Sequence, residues 1–169
     1  YSVTGVQTCA LPILLPYAYV YGGFAGTETQ LSERDWVANV TILDGQAGGS
    51  VVTVRAGHEI STIDGFTIRN GSSSYGGGIY CCSGSLTIAN NTITGNSAHH
   101  GGGIYCYYAS PPLTNNTITD NVALARGGGG IYCDSSSPTI ANHTIPGHSA
   151  NYGARLYCSS SFTTIANHT

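Results

Sequence analysis

The sequence predicts an all-β solenoid, and two observations support this fold class. A unit of 23 residues occurs three times in succession, at residues 76–98, 101–123 and 128–150, and a fourth copy begins at residue 153. The apolar anchor of each copy recurs after 25, 27 and 25 residues, at Ile79, Ile104, Ile131 and Leu156. Repeats with this period are typical of solenoids, in which each copy buries its apolar edge against the next.

The composition predicts one domain with few charges. Charged residues make up 8% of the 169 residues, all five basic residues are arginine, and the net charge is −3. We therefore expect neither nucleic acid nor an anionic membrane surface as a partner. No apolar run reaches the roughly 18 residues of a membrane-spanning helix. The many Ser, Thr, Asn and Gly residues favour an extracellular or cell-surface location.

The two ends of the chain indicate a fragment. Residues 3–13 read VTGVQTCALPI, which is the one-frame translation of a common short-read sequencing adapter, so residues 1–13 are excluded from the fold prediction. The sequence contains no methionine, and it stops inside a repeat. We interpret the chain as open at both ends, and we expect its uncapped C-terminal coil to self-associate or fray.

Residues 14–49 are predicted to form an N-terminal strand and a capping region. Residues 17–24 alternate aromatic and small side chains, as an extended strand does. Residues 27–36 are the one charged, helix-tolerant stretch, and we expect a loop or a short helical turn there. Trp36 is expected to cover apolar surface at the end of the solenoid.

Residues 50–169 are predicted to form the coils. Val54 lies 25 residues before Ile79, so the regular repeat is expected to begin near residue 50. The two extra residues of the 27-residue step fall within one loop, residues 122–130, because the other spacings are constant. Insertions confined to one corner mark the edge of a solenoid that is free to vary, which is often the binding edge.

Each copy is predicted to hold three short strands and three corners. Ile79 and Cys81 alternate with Tyr80, so we expect the Ile and Cys side chains inside and the Tyr ring outside. Ile88 and Ile93 are five residues apart, so a straight strand cannot bury both. A corner is expected between them, at Asn90 and Asn91, because asparagine tolerates the left-handed conformation.

Two further corners complete the coil. Gly95 and Asn96 supply the second corner, and the variable loop before the glycines supplies the third. Three short strands and three corners describe a parallel β-helix of about five to six coils, spaced about 4.8 Å apart with like side chains stacked. Its C-terminal end is expected to be open.

Three histidines stand at positions where earlier copies have asparagine. They are His143, His148 and His168. One base change converts an asparagine codon into a histidine codon, so sequencing error is one explanation for all three.

The repeats resemble those of known families. GGGIY followed by ITGNSA resembles the GGAI and FxxN repeats of chlamydial polymorphic outer membrane proteins, with Ile in place of Phe. The repeats also resemble the pectin-lyase-like superfamily of right-handed parallel β-helices, which includes pectate lyases. The opening VYGGFAGTET, RDW and TILDG resembles the start of β-helix domains in large bacterial secreted or surface proteins. This resemblance covers residues 18–169 and implies a right-handed coil, but the fold hosts many activities.

An outward aromatic stripe is the preferred binding site. Its tyrosines follow the anchors directly, at Tyr80, Tyr105, Tyr132 and Tyr157. Beside the stripe, four or five residues before an anchor, are Tyr75, His100, Arg126 and Tyr152. We expect a flat platform for an extended glycan, with Arg126 contributing selectivity. Stacking that only stabilises the coils is the alternative.

Two columns of small side chains are predicted to be structural. The first is an inward thiol column, formed by Cys81, Cys106, Cys133 and Cys158, which is expected to act as apolar filler. Disulfides between coils and metal binding are its less favoured alternatives. Cys82 is expected to face outward. The second column is an asparagine ladder, whose amides bond from coil to coil, formed by Asn90, Asn115, Asn142 and Asn167.

Catalysis has little support in the sequence. Asp44 and Asp64 are the only acids expected to stack on adjacent coils, and both fit a role in turns. We therefore predict a non-enzymatic stalk or adhesin that binds glycan and needs no cofactor or metal ion. The alternative is a fragment of a polysaccharide lyase or hydrolase. A minor alternative is ice binding through the outward threonine pairs of residues 92–94 and 117–119.

Overall fold

The computed structural model describes residues 6–7, 13–14, 17–125 and 127–167. This part of the chain contains one 3-10 helix, Leu31–Glu33, and eighteen strands. The strands are β1 (Val6–Gln7), β2 (Ile13–Leu14), β3 (Tyr19–Tyr21), β4 (Thr41–Asp44), β5 (Val52–Asp64), β6 (Phe66–Arg69), β7 (Ser72–Tyr75), β8 (Ile79–Ala89), β9 (Thr92–Thr94), β10 (Ser97–His100), β11 (Ile104–Tyr107), β12 (Pro112–Thr114), β13 (Thr117–Thr119), β14 (Val122–Ala123), β15 (Ile131–Asp134), β16 (Thr139–Ala141), β17 (Leu156–Ser159) and β18 (Thr164–Ala166). No helix in the described residues is long and apolar enough to cross a membrane.

The strands form three parallel sheets that enclose the core. The first sheet contains ten strands, including β5, β8, β11, β15 and β17, which stack in five successive coils. The second sheet runs β1-β4-β6-β9-β13, and the third runs β14-β10-β7. The predicted all-β, three-sided parallel β-helix is therefore confirmed, with about five coils. The first and second predicted strands of a coil belong to the same sheet, because β5 and β8 each run without a break through both positions.

Like side chains stack in single files along the axis. The anchor Ile104 pairs in register with Ile79 on one side and with Ile131 on the other, and all three are fully buried. A second file reads Ile63, Ile88, Leu113, Ile140 and Ile165. The stacking buries each apolar side chain against its counterparts one coil above and below, and this burial is the main stabilising force of the solenoid.

The corners are formed by left-handed residues. Asn90, Asn115 and Asn142 have φ values of 55°, 54° and 58°, as the corner prediction requires. The third corner differs from the prediction, because the expected loop contains the strand β10 and then turns at Gly101. Gly101 has a φ of 64°, and a Cβ atom there would lie 2.6 Å from the carbonyl oxygen of Ile104, so glycine is required.

The register corrects the expected start of the repeat. Val52, rather than Val54, pairs with Ile79, and Val54 pairs with Cys81. The register then shifts between Gly57 and Ile60, where a bulge absorbs two extra residues. The prediction assumed a constant spacing of 25 residues and therefore matched Val54 with Ile79. Paired residues are 27 apart before the bulge, as in Val52 and Ile79, and 25 apart after it.

The second long step lies where the spacing predicted it. Ala98 pairs with Ala123, 25 residues apart, whereas Ile104 pairs with Ile131, 27 residues apart. The two extra residues therefore lie between Ala123 and Ile131, at the corner between the third and first sheets.

Strands also precede residue 50. Strand β3 pairs with β5, and β4 pairs with β6, both in parallel register with the later coils. The predicted short helical turn is the 3-10 helix between them. The backbone of residues 6–7 and 13–14, within or next to the adapter-like string, pairs with β4 and β5. This pairing does not bear on the origin of the string, because an open sheet edge accepts any extended segment.

Arg34 attaches the loop between β3 and β4 to the solenoid. Its guanidinium lies 2.8 Å from a carboxylate oxygen of Asp64, and it donates to the carbonyl of Gly22 at 3.2 Å. The same group lies 4.9 Å from the ring of Tyr21 and 5.2 Å from that of Trp36, within cation–π range.

Two buried columns of side chains bond the corners of successive coils. The side-chain oxygen of Asn96 accepts from the backbone of Gly71 at 2.9 Å, and its amide nitrogen donates to the carbonyl of Ile68 at 3.0 Å. The amide nitrogen also donates to the Asn121 side chain at 3.0 Å. The columns are Asn91, Asn116 and His143 at one corner, and Asn96, Asn121 and His148 at the next.

Candidate functional site

An outer file of tyrosine rings runs along the first sheet. Tyr80, Tyr105, Tyr132 and Tyr157 pair in register on four successive coils. Their consecutive ring centroids are 5.9, 5.0 and 4.9 Å apart. The file exists because each tyrosine follows an inward anchor, and successive side chains of a strand point to opposite faces.

A second row of rings comes from the end of the third sheet. Tyr75 pairs in register with His100, and their rings stack at 5.4 Å with an angle of 15° between the planes. The chain turns sharply at the glycines after each of them, so this row lies beside the tyrosine file. The centroid of Tyr75 is 5.1 Å from that of Tyr105, and His100 is 5.6 Å from Tyr132.

The rings form a cleft rather than the predicted flat platform. Tyr105 and Tyr132 are only 5% and 6% exposed, although they lie on the outer face. The second row covers them, and neighbouring rings in the file tilt by 33–43°, which suits aromatic pairs better than a face-to-face sandwich. Tyr75 is 45% exposed and forms an open wall of the cleft.

Two residues of the cleft were missed by the sequence analysis. Tyr107 and Asp134 pair in register, two positions after the outward Tyr105 and Tyr132. The hydroxyl of Tyr105 donates to a carboxylate oxygen of Asp134 at 3.1 Å, and the ring of Tyr107 lies 6.4 Å from that of Tyr105. Strand alternation carried two residues further would have placed both on the outer face.

We call this group of rings and its carboxylate the aromatic cleft. Its first cavity measures about 380 Å³ and is lined by Tyr75, Tyr80, Tyr105, Tyr107 and Asp134. An adjoining cavity of about 290 Å³ is lined by Tyr75, His100, Tyr105, Tyr132 and Asp134. The two cavities share three lining residues, so a chain-like ligand that follows the helix axis can contact both.

Two tyrosine hydroxyls of the cleft, those of Tyr80 and Tyr105, stay protonated at ordinary pH. Burial raises the pKa of Tyr80 to about 12. Burial raises the pKa of Tyr105 still further, and the charge of Asp134 adds to this effect. Both hydroxyls are therefore hydrogen-bond donors. Arg55 lies 5.9 Å from the ring of Tyr80, at the N-terminal end of the cleft.

Other predicted members of the site lie apart from the cleft. Tyr157 contacts Tyr132 at 4.9 Å but lines neither cavity. Tyr152 is 66% exposed, and the aromatic contacts found among the described residues do not include it. Arg126 and His168 lie outside the described residues.

The thiol column lies on the inner side of the first sheet. Cys81, Cys106 and Cys133 are in register and fully buried, and Cys158 follows at the exposed end. All four are free thiols, as is the partly exposed Cys82. Burial raises the pKa of Cys81 to about 12. Among the described residues, no group of three His, Cys, Asp or Glu side chains is placed to hold a metal ion.

Hydrogen bonds connect the residues of the predicted asparagine ladder, which lies at the surface of the corner between the first and second sheets. Asn115 donates from its amide to the side-chain oxygen of Asn90 at 3.3 Å, and Asn142 donates to Asn115 at 3.1 Å. Asn90 in turn donates to the carboxylate of Asp64 at 3.1 Å. Asn167 has the same left-handed backbone, with a φ of 53°. The buried amides, which bond the coils more extensively, lie one residue later in the chain.

Asp44 and Asp64 do not stack on one another, contrary to expectation. Asp44 pairs in register with Arg69 on the second sheet, whereas Asp64 pairs with Ala89 on the first. The two carboxylates therefore occupy different corners, and each is bound by an arginine, since Asp44 lies 3.0 Å from Arg69 and Asp64 lies 2.8 Å from Arg34.

The stacked coils and the aromatic cleft define the class of this protein, which is a parallel β-helix. A family model for the right-handed β-helix region matches residues 30–169, and the chain belongs to this family. The match agrees with the pectin-lyase-like resemblance at the level of fold, and it does not extend to the polymorphic outer membrane proteins. No curated protein and no solved structure matches the chain significantly.

Proposed function

We propose that this β-helix is a non-enzymatic stalk or adhesin module, outside the cell or on its surface, that binds an extended glycan in the aromatic cleft. The observation that supports this proposal is the double row of rings along the axis. Sugar rings present apolar C–H faces that stack on aromatic side chains, and their hydroxyls need nearby polar partners. The cleft offers both, because Tyr75 is an open ring wall and Asp134 is an acceptor.

The repeated architecture suits a module that presents a surface along its length. Each coil adds about 4.8 Å of axis, so rings from successive coils form a track for a polymer rather than an isolated pocket. The two extra residues between Ala123 and Ile131 border this track, at the corner between the third and first sheets. Variation there changes the edge of the track without disturbing the core.

The lyase or hydrolase alternative receives no support from the contacts of the described residues. Asp44 and Asp64 are already bound by arginine and asparagine side chains. The described residues of the cleft include one carboxylate, Asp134, whereas a hydrolase of the usual kind needs two, about 5–9 Å apart. The ice-binding alternative depends on a regular array of outward threonines. On the preceding coil Arg69, a charged residue, pairs in register with Thr94, so the array is interrupted there.

A pair of matched tyrosine substitutions tests the proposal. The chain is screened on a glycan array, and binding of the best oligosaccharide is then measured by calorimetry for wild type, Tyr75→Ala and Tyr152→Ala. We expect Tyr75→Ala to weaken binding about tenfold or more, by analogy with bases stacked on aromatic side chains, each of which contributes about 1–3 kcal/mol. Tyr152→Ala removes a ring outside the cleft that is more exposed than Tyr75, 66% against 45%, and it is expected to leave affinity unchanged.

Two results would contradict the proposal. A folded chain that binds no glycan on the array would remove the binding function. Release of unsaturated sugars from a polysaccharide incubated with the chain would show a lyase instead.

A further inference from the structure

Asp134 is the charged centre of the aromatic cleft. It lines both cavities, as Tyr75 and Tyr105 also do. One carboxylate oxygen accepts from the Tyr105 hydroxyl at 3.1 Å, and the other accepts from the Ser135 hydroxyl at 3.3 Å. Each oxygen has two lone pairs, so these two bonds leave acceptor capacity that faces the cleft.

No cation of the described residues neutralises this carboxylate. The ion pairs found there are Arg34 with Asp64 and Arg69 with Asp44, both at other corners. Arg55 lies over Tyr80, at the opposite end of the cleft from Asp134. The carboxylate is therefore held in place by neutral donors while its charge remains available to a ligand.

The rings around Asp134 favour the same sign of ligand charge. The faces of Tyr75, Tyr105 and Tyr107 carry negative quadrupole potential, which attracts a cation within about 6 Å. A carboxylate beside ring faces is thus a site for an organic ammonium group. The same arrangement repels a sugar carboxylate, because a second anion would enter a partly desolvated site beside Asp134.

We infer that the aromatic cleft selects glycans with free amino groups, in which a protonated amine of an amino sugar pairs with Asp134 while the sugar rings stack on the tyrosines. This inference rests on the proposed function and adds a substrate class to it. Asp134 is then a specificity residue, and the ring rows supply the affinity common to all glycans.

Three hexasaccharides measured by calorimetry at pH 6 test the inference. They are a glucosamine hexamer, its fully N-acetylated form and a galacturonic acid hexamer. We expect the glucosamine hexamer to bind about tenfold or more tightly than the N-acetylated one, and the galacturonic acid hexamer to bind weakest. The preference is expected to fall with added salt, since partly exposed ion pairs are screened.

A matched pair of carboxamide variants isolates the role of Asp134. Asp134→Asn keeps the shape and an oxygen that accepts from Tyr105, so the fold is expected to persist while the preference for the free amine disappears. Asp120→Asn makes the same charge change at a distant corner. Asp120 has a φ of 53°, which asparagine tolerates well, so this control is expected to retain the preference.

The outcomes separate the inference from the function on which it rests. Equal affinity of wild type for the glucosamine and N-acetylated hexamers overturns the selectivity but leaves glycan binding in place. An unchanged preference in Asp134→Asn assigns the selectivity elsewhere and overturns the role of Asp134. Absence of binding to all three hexamers and to the array overturns both proposals.

Discussion

The central coils and the last coil share one repeat but differ in how completely they are buried. Ile88 in the central part is fully buried, whereas Ile165, three coils further along the same file, is 53% exposed. The thiol of Cys106 is buried and that of Cys158 is exposed. Equivalent positions of the repeat therefore contribute different amounts to the stability of the fold, because in a solenoid each coil is stabilised by its neighbours.

Successive coils also differ at their buried corners. In the central coils the Asn121 amide donates to the carbonyl of Ile93 at 2.9 Å, and its oxygen accepts from Asn96 at 3.0 Å. In the next coil, which contains Ile131, His148 takes the equivalent place. Its Nε2 lies 2.9 Å from the carbonyl of Ile118, and its Nδ1 accepts from the Asn121 backbone at 3.1 Å.

A neutral imidazole thus reproduces the bonds of an amide. The hydrogen-bond partners assign the proton of His148 to Nε2, since Nδ1 faces a backbone N–H donor. The corner requires one donor and one acceptor at fixed positions, and either side chain supplies them. The substitution still matters, because asparagine does not titrate whereas histidine does.

The largest expected effect compares two substitutions in one file. Ile88→Ala is expected to lower the free energy of unfolding by about 2–5 kcal/mol, because it leaves a cavity in a filled core. Ile165→Ala is expected to cost less than about 1 kcal/mol, since the side chain is already half exposed. Urea unfolding of both variants measures the difference, and equal losses would show that the last coil is packed like the others.

A smaller, pH-dependent effect is expected at His148. Burial lowers the pKa of His148 in the folded state, and the nearby charges of Asp120 and Arg155 act in opposite directions. The unfolded chain therefore binds more protons below a pH of about 6.5, so stability is fully present above this pH and falls as the solution is acidified through the folded-state pKa.

Replacement by the amide of the earlier coils isolates this effect. His148→Asn keeps both hydrogen bonds, and the fall in the urea midpoint between about pH 7.5 and pH 5 is expected to be smaller than in wild type. The other histidines are present in both chains and cancel in the comparison. Equal pH dependence in the two chains would contradict the assigned role.

Thiol labelling gives the smallest and cheapest comparison of the two regions. Iodoacetamide is expected to modify Cys158 faster than Cys106, because the reagent reaches an exposed thiol without unfolding of the coil. A hydrogen bond with Cys133, together with burial, raises the pKa of Cys106, so its reaction should be slow until urea is added. Peptide mapping of the labelled chain reads the order, and labelling of Cys106 as fast as Cys158 would refute it.

The repeat predicted much of the fold for a physical reason. Side chains that stack on their own kind recur at one spacing, so the files of Ile79, Ile104 and Ile131 and the left-handed Asn90 corner were readable from the sequence. The displaced pairing of Val52 was not readable, because a bulge adds residues without changing the apolar pattern.

The cleft was only partly predictable. Strand alternation shows that Tyr105 faces outward, but it cannot show that Tyr75 and His100 fold over the tyrosine file from another sheet. The sequence did not assign Tyr107 and Asp134 to the binding site, because each occurs in one coil only and comparison of repeats favours positions that recur. Features that vary between coils are those most suited to selecting a ligand.

A crystal structure of the chain with the glucosamine hexamer shows whether the aromatic cleft holds a chain of amino sugars. We expect an oligosaccharide that lies along the helix axis, with sugar faces against Tyr75 and Tyr107 and an amino nitrogen within hydrogen-bond distance of Asp134. A hexamer bound elsewhere, or a cleft that stays empty at saturating oligosaccharide, would contradict it.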